Sequence, residues 1–180
     1  MAKLNEELFK MWVAILNRVP NSRLRVKAKA LMDMPVRKEM LEYFITSGIN
    51  EERVDFSGHT KGITAHLEEY SKVDIALDSF PYHGTTTTCE ALWMGVPVVS
   101  LAGKTHVSRV GASLLRTVGL GELVADSAEQ YIQFAAVLAS DIERLALWRS
   151  SMRHRMLASP LMNQKIFAHN LGDLLASVVK

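Results

Sequence analysis

Apolar residues follow two patterns that alternate along the chain. In residues 5–18 they recur every three or four positions, which predicts an amphipathic helix. Residues 73–77 and 98–101 are short apolar runs, which are typical of strands buried in a parallel sheet. Because helix and strand patterns alternate, we expect an α/β fold of the Rossmann-like kind, a parallel sheet with helices on both faces.

The same patterns give boundaries for each element. The predicted helices cover 5–18, about 35–48, 61–70, 86–93, about 107–118, about 127–147, about 149–157 and about 163–178. The predicted strands cover 23–28, about 53–56, 73–77, 98–101 and 123–124.

The two ends of the chain suggest a lobe of a larger protein. The sequence enters an amphipathic helix without the leading strand that usually opens an α/β domain. The last helix is also amphipathic, with Ile166, Leu171, Leu174 and Leu175 as candidates for packing. An absent partner domain explains both features, whereas a helix folded back on this same domain explains only the second.

Composition narrows the class of protein. Apolar residues make up 48% of the chain and charged residues 22%, a globular balance. The formal net charge of +2 gives no basis for a nucleic-acid partner. The single cysteine, Cys89, excludes an internal disulfide. With no bilayer-length apolar run and no signal-peptide pattern, we expect a soluble, cytoplasmic protein without a membrane partner.

The segment DIALDSFPYHGTTTTCEALWMGVP, residues 74–97, carries the most chemistry. A strand runs into a loop that contains Gly84, and four threonines, residues 85–88, then open a helix. Ligands of parallel sheets bind beyond the carboxyl ends of the strands. Free N–H groups at a helix start attract phosphate, and Gly84 permits a close backbone approach. The pattern therefore predicts a diphosphate cradle without a Walker A lysine.

A plainer interpretation exists for each of these polar residues. A threonine at a helix start is often only an N-cap, although one cap does not explain four threonines. Glu90, one turn farther on, either accepts ribose hydroxyls or complements the helix dipole.

A family resemblance rests on the stretches ALDSFPYHGTTTTCEALWMGVPVVSLAG, HVSRVGASLL and VGLGELVA, and on VPNSRL after MW. These stretches, in consistent order over essentially the whole chain, resemble the catalytic region of glycosyltransferase family 41. That family contains O-linked N-acetylglucosamine transferases and SPINDLY-type O-fucosyltransferases, usually fused to tetratricopeptide repeats. The resemblance implies that residues 1–180 form the C-terminal lobe of a GT-B enzyme, without the N-terminal lobe and the repeats.

The resemblance also implies roles for individual residues. It places Thr85, Thr86 and Thr87 at the donor diphosphate, with Thr85 where animal members have histidine. It assigns the ribose to Glu90, which replaces an aspartate of the family.

Residues outside the threonine segment receive roles in the same way. The resemblance assigns the leaving-group phosphate to Lys3 and the nucleotide base to His66. Glu69 stands where animal members have an arginine, so Tyr70 is the alternative group for stacking on the base.

Further polar residues follow the next predicted strand. His106 and Arg109 come at the strand end that is expected to face the cleft. Either they contact the donor there, or Arg109 pairs with a structural carboxylate. No metal-ligand spacing is present, and Asp74 and Asp78 do not form the DxD motif of metal-dependent enzymes. We expect no metal and no cofactor. The histidines that lack such spacing are His59, His83, His154 and His169.

These observations lead to one functional hypothesis and three alternatives. The first is an inverting, metal-independent transfer from UDP-N-acetylglucosamine to Ser or Thr of a protein acceptor held by the missing lobe. No general base is assigned in this chain, and the isolated chain is expected to be inactive. The alternatives are a GDP-fucose-dependent O-fucosyltransferase, a non-catalytic nucleotide-sugar-binding module and a sugar-nucleotide epimerase.

Overall fold

The computed structural model describes residues 3–179 and has an α/β fold. Helices and parallel strands alternate along most of the chain, as the sequence patterns predict. The helices are α1 (Glu6–Arg18), α2 (Met34–Thr46), α3 (Ile63–Glu68), α4 (Thr86–Trp93), α5 (Val110–Thr117), α6 (Ala128–Ser140), α7 (Ile142–Ala158) and α8 (Gln164–Val178). The strands are β1 (Leu24–Lys27), β2 (Val54–Ser57), β3 (Ala76–Leu77), β4 (Val98–Leu101) and β5 (Val124–Ala125).

The strands form two parallel sheets rather than the single sheet expected. β1 pairs with β2 in one sheet, and the other has the order β3-β4-β5. Every residue of β4 is buried, because β3 and β5 flank it and α5 and α6 pack against it. The parallel α/β class is confirmed, and the difference lies between β1 and β3, which are not paired with each other.

β3 is shorter and less buried than the apolar run 73–77 predicts. Only Ala76 and Leu77 form the strand, and both are half-buried. The N–H groups of Ala76 and Asp78 donate to the carbonyls of Pro97 and Val99, each at 2.9 Å. One edge of β3 is therefore fully engaged with β4, while its other edge faces an open cleft.

Side-chain caps fix several helix starts. Asn5 accepts a hydrogen bond from the Leu8 N–H at 2.9 Å and caps α1. Asp141 accepts one from the Arg144 N–H at 3.0 Å and caps α7. The break predicted near residue 148 is wrong, because this cap ends α6 and starts α7 seven residues earlier.

Two predicted helices begin or end in a tighter turn. The segment 61–70 contains α3 and then a 3-10 turn over Glu69–Lys72. The segment 107–118 opens with a 3-10 turn, His106–Ser108, before α5 begins. None of the helices described in residues 3–179 is long and apolar enough to cross a membrane.

α8 leaves the body of the domain with its apolar side chains uncovered. Every residue of this helix is exposed, including Phe167 at 65% and Leu174 at 61%. The alternative in which the helix folds back on the same domain is therefore wrong.

Gly95, just after the end of α4, lies in close contact with α7. Its φ is +82°, and a Cβ at this position would lie 2.5 Å from the carbonyl oxygen of Arg149 in α7. Gly48 has nearly the same φ, +84°, but open space around it. We expect Gly48→Ala to cost about 1–2 kcal/mol from the left-handed backbone alone. Gly95→Ala should cost about 2–5 kcal/mol, because overpacking is added.

Urea unfolding of the two variants measures this difference. Equal losses of unfolding free energy would show that the contact between Gly95 and α7 is absent in solution.

Candidate functional site

A buried carboxylate fixes the loop that leads from β3 to α4. Asp78 follows β3 directly and is 6% exposed. Its Oδ1 accepts the Gly84 N–H and its Oδ2 accepts the Ser100 hydroxyl, both at 2.8 Å. The Tyr131 hydroxyl donates to the Asp78 carbonyl at 3.0 Å. The loop is thus tied to β4 and α6, which holds Gly84 at the start of α4.

His83 belongs to the same buried network. Its Nδ1 accepts a hydrogen bond from the Gly111 N–H at 3.0 Å, so the ring hydrogen lies on Nε2, which donates to the Leu101 carbonyl at 2.8 Å. A Cβ at Gly111 would overlap the Asp78 carboxylate and the Ser100 hydroxyl. His83 is therefore a structural residue of the loop rather than a group open to a ligand.

The four threonines differ in their surroundings. Thr85, Thr86 and Thr87 are exposed and Thr88 is buried. No side chain caps α4, so the plain capping interpretation does not describe this helix. A Cβ at Gly84 would lie 2.5 Å from the Thr87 hydroxyl and 2.7 Å from that of Thr88. Glycine is thus required by the helix start itself, which presents exposed hydroxyls together with the free N–H groups of a first turn.

Glu90 lies in a polar cluster with residues from β1 and α3. Its Oε2 is 2.9 Å from His66 Nε2 and 3.4 Å from the Tyr70 hydroxyl. The Lys27 ammonium donates to His66 Nδ1 at 2.8 Å, so His66 Nε2 carries the hydrogen that Glu90 accepts. Tyr70 also donates to the Thr87 carbonyl at 3.2 Å. The structure therefore brings His66, Tyr70 and Glu90 together beside Thr87.

Lys27 is a member of this cluster that the sequence analysis missed. It ends β1, and the carboxyl ends of parallel strands are where ligand-binding residues gather. That position in the predicted strand 23–28 was the available signal. The Lys27 ammonium also donates to the Thr60 hydroxyl at 2.8 Å, which ties the end of β1 to the loop after β2.

Glu69 takes no part in the Glu90 cluster. Its carboxylate pairs with Arg25 at 2.5 Å and with Lys72 at 2.9 Å. The hydrogen bond from Lys72 lowers the pKa of Glu69, and the charge of Arg25 acts in the same direction. The position that carries arginine in animal members is thus used here for an ion pair with β1.

Burial shapes the acidity of two neighbours of Glu90. It raises the pKa of the Tyr70 hydroxyl, and the adjacent Glu90 carboxylate adds to the effect. Burial likewise raises the pKa of the Cys89 thiol. Tyr70 is therefore a hydrogen-bond donor, and Cys89 remains a thiol rather than a nucleophilic thiolate.

Lys3 reaches the loop from the other end of the chain. Its ammonium donates to the His83 carbonyl at 2.9 Å and lies 4.5 Å from the centre of the Tyr82 ring. The residue after His83 is Gly84, so the charge of Lys3 lies next to the start of α4.

His106 and Arg109 lie next to the loop that leads to α4. Both are exposed, and the intervening Val107 accepts the His83 N–H through its carbonyl at 3.0 Å. Arg109 donates to the Gly103 carbonyl at 3.1 Å, so the contact it makes is with backbone and not with a carboxylate.

One large cleft, about 1500 Å³ in volume, connects most of these groups. Its lining includes Lys3, Lys27, His66, Tyr70, Gly84 and Thr87. Of the described candidates, Thr85, Thr86, Glu90, His106 and Arg109 lie outside that lining. Within residues 3–179, no three His, Cys, Asp or Glu side chains converge as a metal site would need.

The protonation of Asp78 gives a prediction of pH dependence. Burial raises its pKa above the ordinary value of 3.8, against the opposing effects of His83, Gly84 and Ser100. From pH 3.8 up to the raised pKa, the folded protein holds a proton that the unfolded chain has lost. The free energy of unfolding therefore falls as pH rises through that window.

Asp78→Asn removes the titrating group. We expect the unfolding free energy of the variant, relative to that of the wild type, to increase as pH rises above 4. The increase should reach up to about 1.4 kcal/mol per pH unit inside the window. Urea unfolding at intervals from pH 4 to 8 measures the difference. The exposed Asp126→Asn variant supplies the general effect of removing one carboxylate. A difference that stays constant with pH would contradict the prediction.

Comparison with known proteins shows which family the chain resembles. Residues 1–171 match the family described as Glycosyl transferase family 41. The Arabidopsis thaliana protein named "Probable UDP-N-acetylglucosamine--peptide N-acetylglucosaminyltransferase SPINDLY" is 44% identical over 95% of this chain and 19% of its own length. The Caenorhabditis elegans UDP-N-acetylglucosamine--peptide N-acetylglucosaminyltransferase is 30% identical over 99% of this chain and 15% of its own length.

A solved structure agrees with the sequence relatives. A mutant of the Thermobaculum terrenum O-GlcNAc transferase superposes with a TM-score of 0.89 and 36% identity, covering 96% of this chain and 33% of that one. The chain thus spans about a fifth of the length of its curated plant relatives. The family match over nearly the whole chain and the shared fold show that this chain belongs to glycosyltransferase family 41.

Proposed function

We propose that this chain is the nucleotide-sugar-binding lobe of a protein O-glycosyltransferase with GT-B architecture. One observation carries the proposal. The uncapped start of α4 presents exposed threonine hydroxyls beside Gly84, at the carboxyl end of a parallel strand in a family 41 chain. Such a helix start suits the diphosphate of an activated sugar.

The diphosphate would be held by backbone, hydroxyls and one cation. The N–H groups of the first turn of α4 and the hydroxyls of Thr86 and Thr87 supply donors, and Thr85 stands at the cap position. The ammonium of Lys3, next to Gly84, supplies the positive charge. Lys3 has to exchange its bond to the His83 carbonyl for one to phosphate, a strong charge-assisted bond.

The nucleoside would lie over the cluster that contains Glu90. The carboxylate of Glu90 accepts ribose hydroxyls, while His66 and Tyr70, which already contact it, face the base. Lys27 fixes the ring of His66 from the other side. His106 and Arg109, which are exposed between β4 and α5, would contact the sugar or the outer phosphate.

The proposed reaction is an inverting displacement without a metal. The acceptor hydroxyl attacks the anomeric carbon, the bond to the diphosphate oxygen breaks, and the acceptor proton passes to a base on the partner lobe. Negative charge develops on the leaving phosphate, where preorganised donors act best. Loss of one such donor costs about 3–4 kcal/mol in the transition state.

The relatives guide the choice of donor and acceptor. Their names specify UDP-N-acetylglucosamine and peptide, so UDP-N-acetylglucosamine and Ser or Thr of a protein are our first assignment. The sequence FPYHGTTTTCE around the cradle resembles that of the SPINDLY branch, which makes GDP-fucose the second candidate. The acceptor would bind the N-terminal lobe, in the cytoplasm.

Nucleotide titration tests the cradle. We expect the chain to bind UDP weakly in calorimetry and more tightly than GDP. Thr86→Val/Thr87→Val should reduce the affinity at least about 10-fold, because it removes two hydroxyl donors to a charged group. Tighter binding of GDP would move the donor assignment to GDP-fucose.

A matched double variant separates binding from folding. Thr46→Val/Thr117→Val also removes two helix hydroxyls, which donate to their own helix carbonyls at 2.8 Å. It should leave nucleotide affinity unchanged. If the Thr86/Thr87 variant unfolds at much lower urea than this control, the threonines are structural and the cradle assignment fails.

Complementation distinguishes an enzyme lobe from a stand-alone binding module. The chain alone should transfer no sugar to a Ser/Thr peptide. Mixing it with the N-terminal lobe of a family 41 relative should give acceptor-dependent turnover. Turnover by the chain alone would refute the need for a second lobe, isomerised donor without acceptor would indicate an epimerase, and binding without turnover in the mixture would favour the module.

A further inference from the structure

The Lys27 ammonium is a half-buried cation that forms no ion pair with a carboxylate. Its side chain lines the large cleft at the carboxyl end of β1. Within residues 3–179, none of the ion pairs between a basic and an acidic side chain includes Lys27. A charge that has lost part of its hydration needs strong acceptors in return. The partners of this ammonium therefore have to be counted.

Glu69 is a carboxylate near Lys27, but its oxygens are bonded elsewhere. The hydrogen bond from Lys72 is the largest cause of the lowered pKa of Glu69, and the charge of Lys27 is the smallest. The two Glu69 oxygens are held by Arg25 and Lys72. Glu69 therefore leaves the Lys27 ammonium to other acceptors.

An ammonium group has three N–H bonds, and two of those on Lys27 are used. One donates to the Thr60 hydroxyl and one to His66 Nδ1, each at 2.8 Å. Both acceptors are neutral groups. In the part of the chain that the structure describes, the third N–H has no acceptor. Because Lys27 lines the cleft, this N–H is left for an acceptor on a ligand there.

The ring of His66 lies between Lys27 and Glu90. Lys27 is bonded to Nδ1 at 2.8 Å, and Glu90 accepts from Nε2 at 2.9 Å. The lone pair and the N–H of an imidazole both lie in the ring plane, so these two partners lie along its edge and leave its faces for stacking. The His66 side chain is 29% exposed and lines the cleft, so a flat ring can reach it from that side.

A nucleoside stacked on His66 would extend from Glu90 to Lys27. The ribose hydroxyls belong at the Glu90 carboxylate in the proposed function. The width of one imidazole ring, with a hydrogen bond on each side, separates that carboxylate from the Lys27 ammonium. A similar span separates the ribose hydroxyls of a nucleoside from the exocyclic group on the far edge of its base. The ammonium would therefore face that exocyclic group, at C4 of a pyrimidine or C6 of a purine.

An ammonium at this position distinguishes bases by the polarity of the exocyclic group. Uracil and guanine carry a carbonyl oxygen there, which is an acceptor, whereas cytosine and adenine carry an amino group, which is a donor. Lysine has donors only. A keto base therefore satisfies the third N–H, and an amino base sets two donors against each other and leaves both unsatisfied.

We infer that Lys27 selects the nucleobase, by donating its third N–H to the C4 carbonyl of uracil or the C6 carbonyl of guanine. The inference rests on the proposed function, because it requires the nucleoside to lie at Glu90 and His66. It assigns a substrate class to the site, namely nucleotides with a keto base. Lys27 does not distinguish uracil from guanine, so the inference holds for a UDP donor and for a GDP donor.

Paired nucleotides test the inference on the unaltered chain. UDP and CDP differ only at the C4 group and the ring nitrogen beside it, and IDP and ADP differ in the same way at C6. In calorimetric titration, the keto member should bind at least about 10-fold more tightly than the amino member in whichever pair has the higher affinity. Equal affinities within that pair would overturn the inference.

Lys27→Met tests the residue itself. It should weaken binding of the keto nucleotide about 10-fold and leave the amino nucleotide nearly unchanged, so the ratio of the two affinities approaches one. If Lys27 only kept His66 in place, its loss would weaken both nucleotides alike and leave the ratio as in the wild type. That result would refute a role in base selection.

Lys29→Met is the matched control. Lys29 is an exposed lysine that lines the same cleft, so this variant removes an equal charge. It should keep the wild-type ratio of affinities. An equal fall of the ratio in both variants would show a general effect of charge and would contradict the assignment to Lys27.

The outcomes separate this inference from the proposed function. If the wild type binds none of the four nucleotides, the cradle assignment fails and the inference fails with it. If the wild type binds them without preferring the keto members, the cradle assignment stands and only the role of Lys27 is refuted.

Discussion

The candidate site depends on the buried carboxylate of Asp78. Its two oxygens hold the Gly84 N–H and the Ser100 hydroxyl, so one side chain joins the end of β3, the start of α4 and the middle of β4. A buried carboxylate is tolerated only when its hydrogen bonds are satisfied. The network leaves no space for a Cβ at position 111, so α5 can pack against it only with glycine there. The loop is thereby held rigid, and the exposed face of α4 can be preorganised.

That rigidity gives the threonines their chemical meaning. A flexible helix start would have to lose conformational entropy before it could hold a phosphate. Here the exposed hydroxyls of Thr86 and Thr87 follow a glycine whose N–H is already occupied by Asp78. The polar groups that hold the loop are buried, and the hydroxyls that the proposed diphosphate would contact are exposed, so the two roles use different groups.

Local sequence patterns predicted the elements correctly where glycine or proline clearly marks the ends of a helix or strand. The helix 86–93 and the strand 98–101 agree with the structure to the residue, because Gly95 and Pro97 separate them. The α6–α7 boundary was missed because both helices share a continuous apolar pattern and one aspartate cap decides it. Lys27 and the Asp78 network were missed because their partners lie far along the chain. Contacts such as Lys27 with His66 depend on how β1 and α3 come together, which no local pattern records.

The cluster around Glu90 connects the site to the spacing of the sheets. Lys27 belongs to the β1-β2 sheet, whereas Glu90 is on α4, which packs on β4 of the other sheet. The chain of contacts from Lys27 through His66 to Glu90 therefore crosses the cleft, with each distance below 3 Å. The distances within this cluster therefore depend on how far apart the two sheets lie, and a ligand that tightened the cluster would also draw the two sheets together.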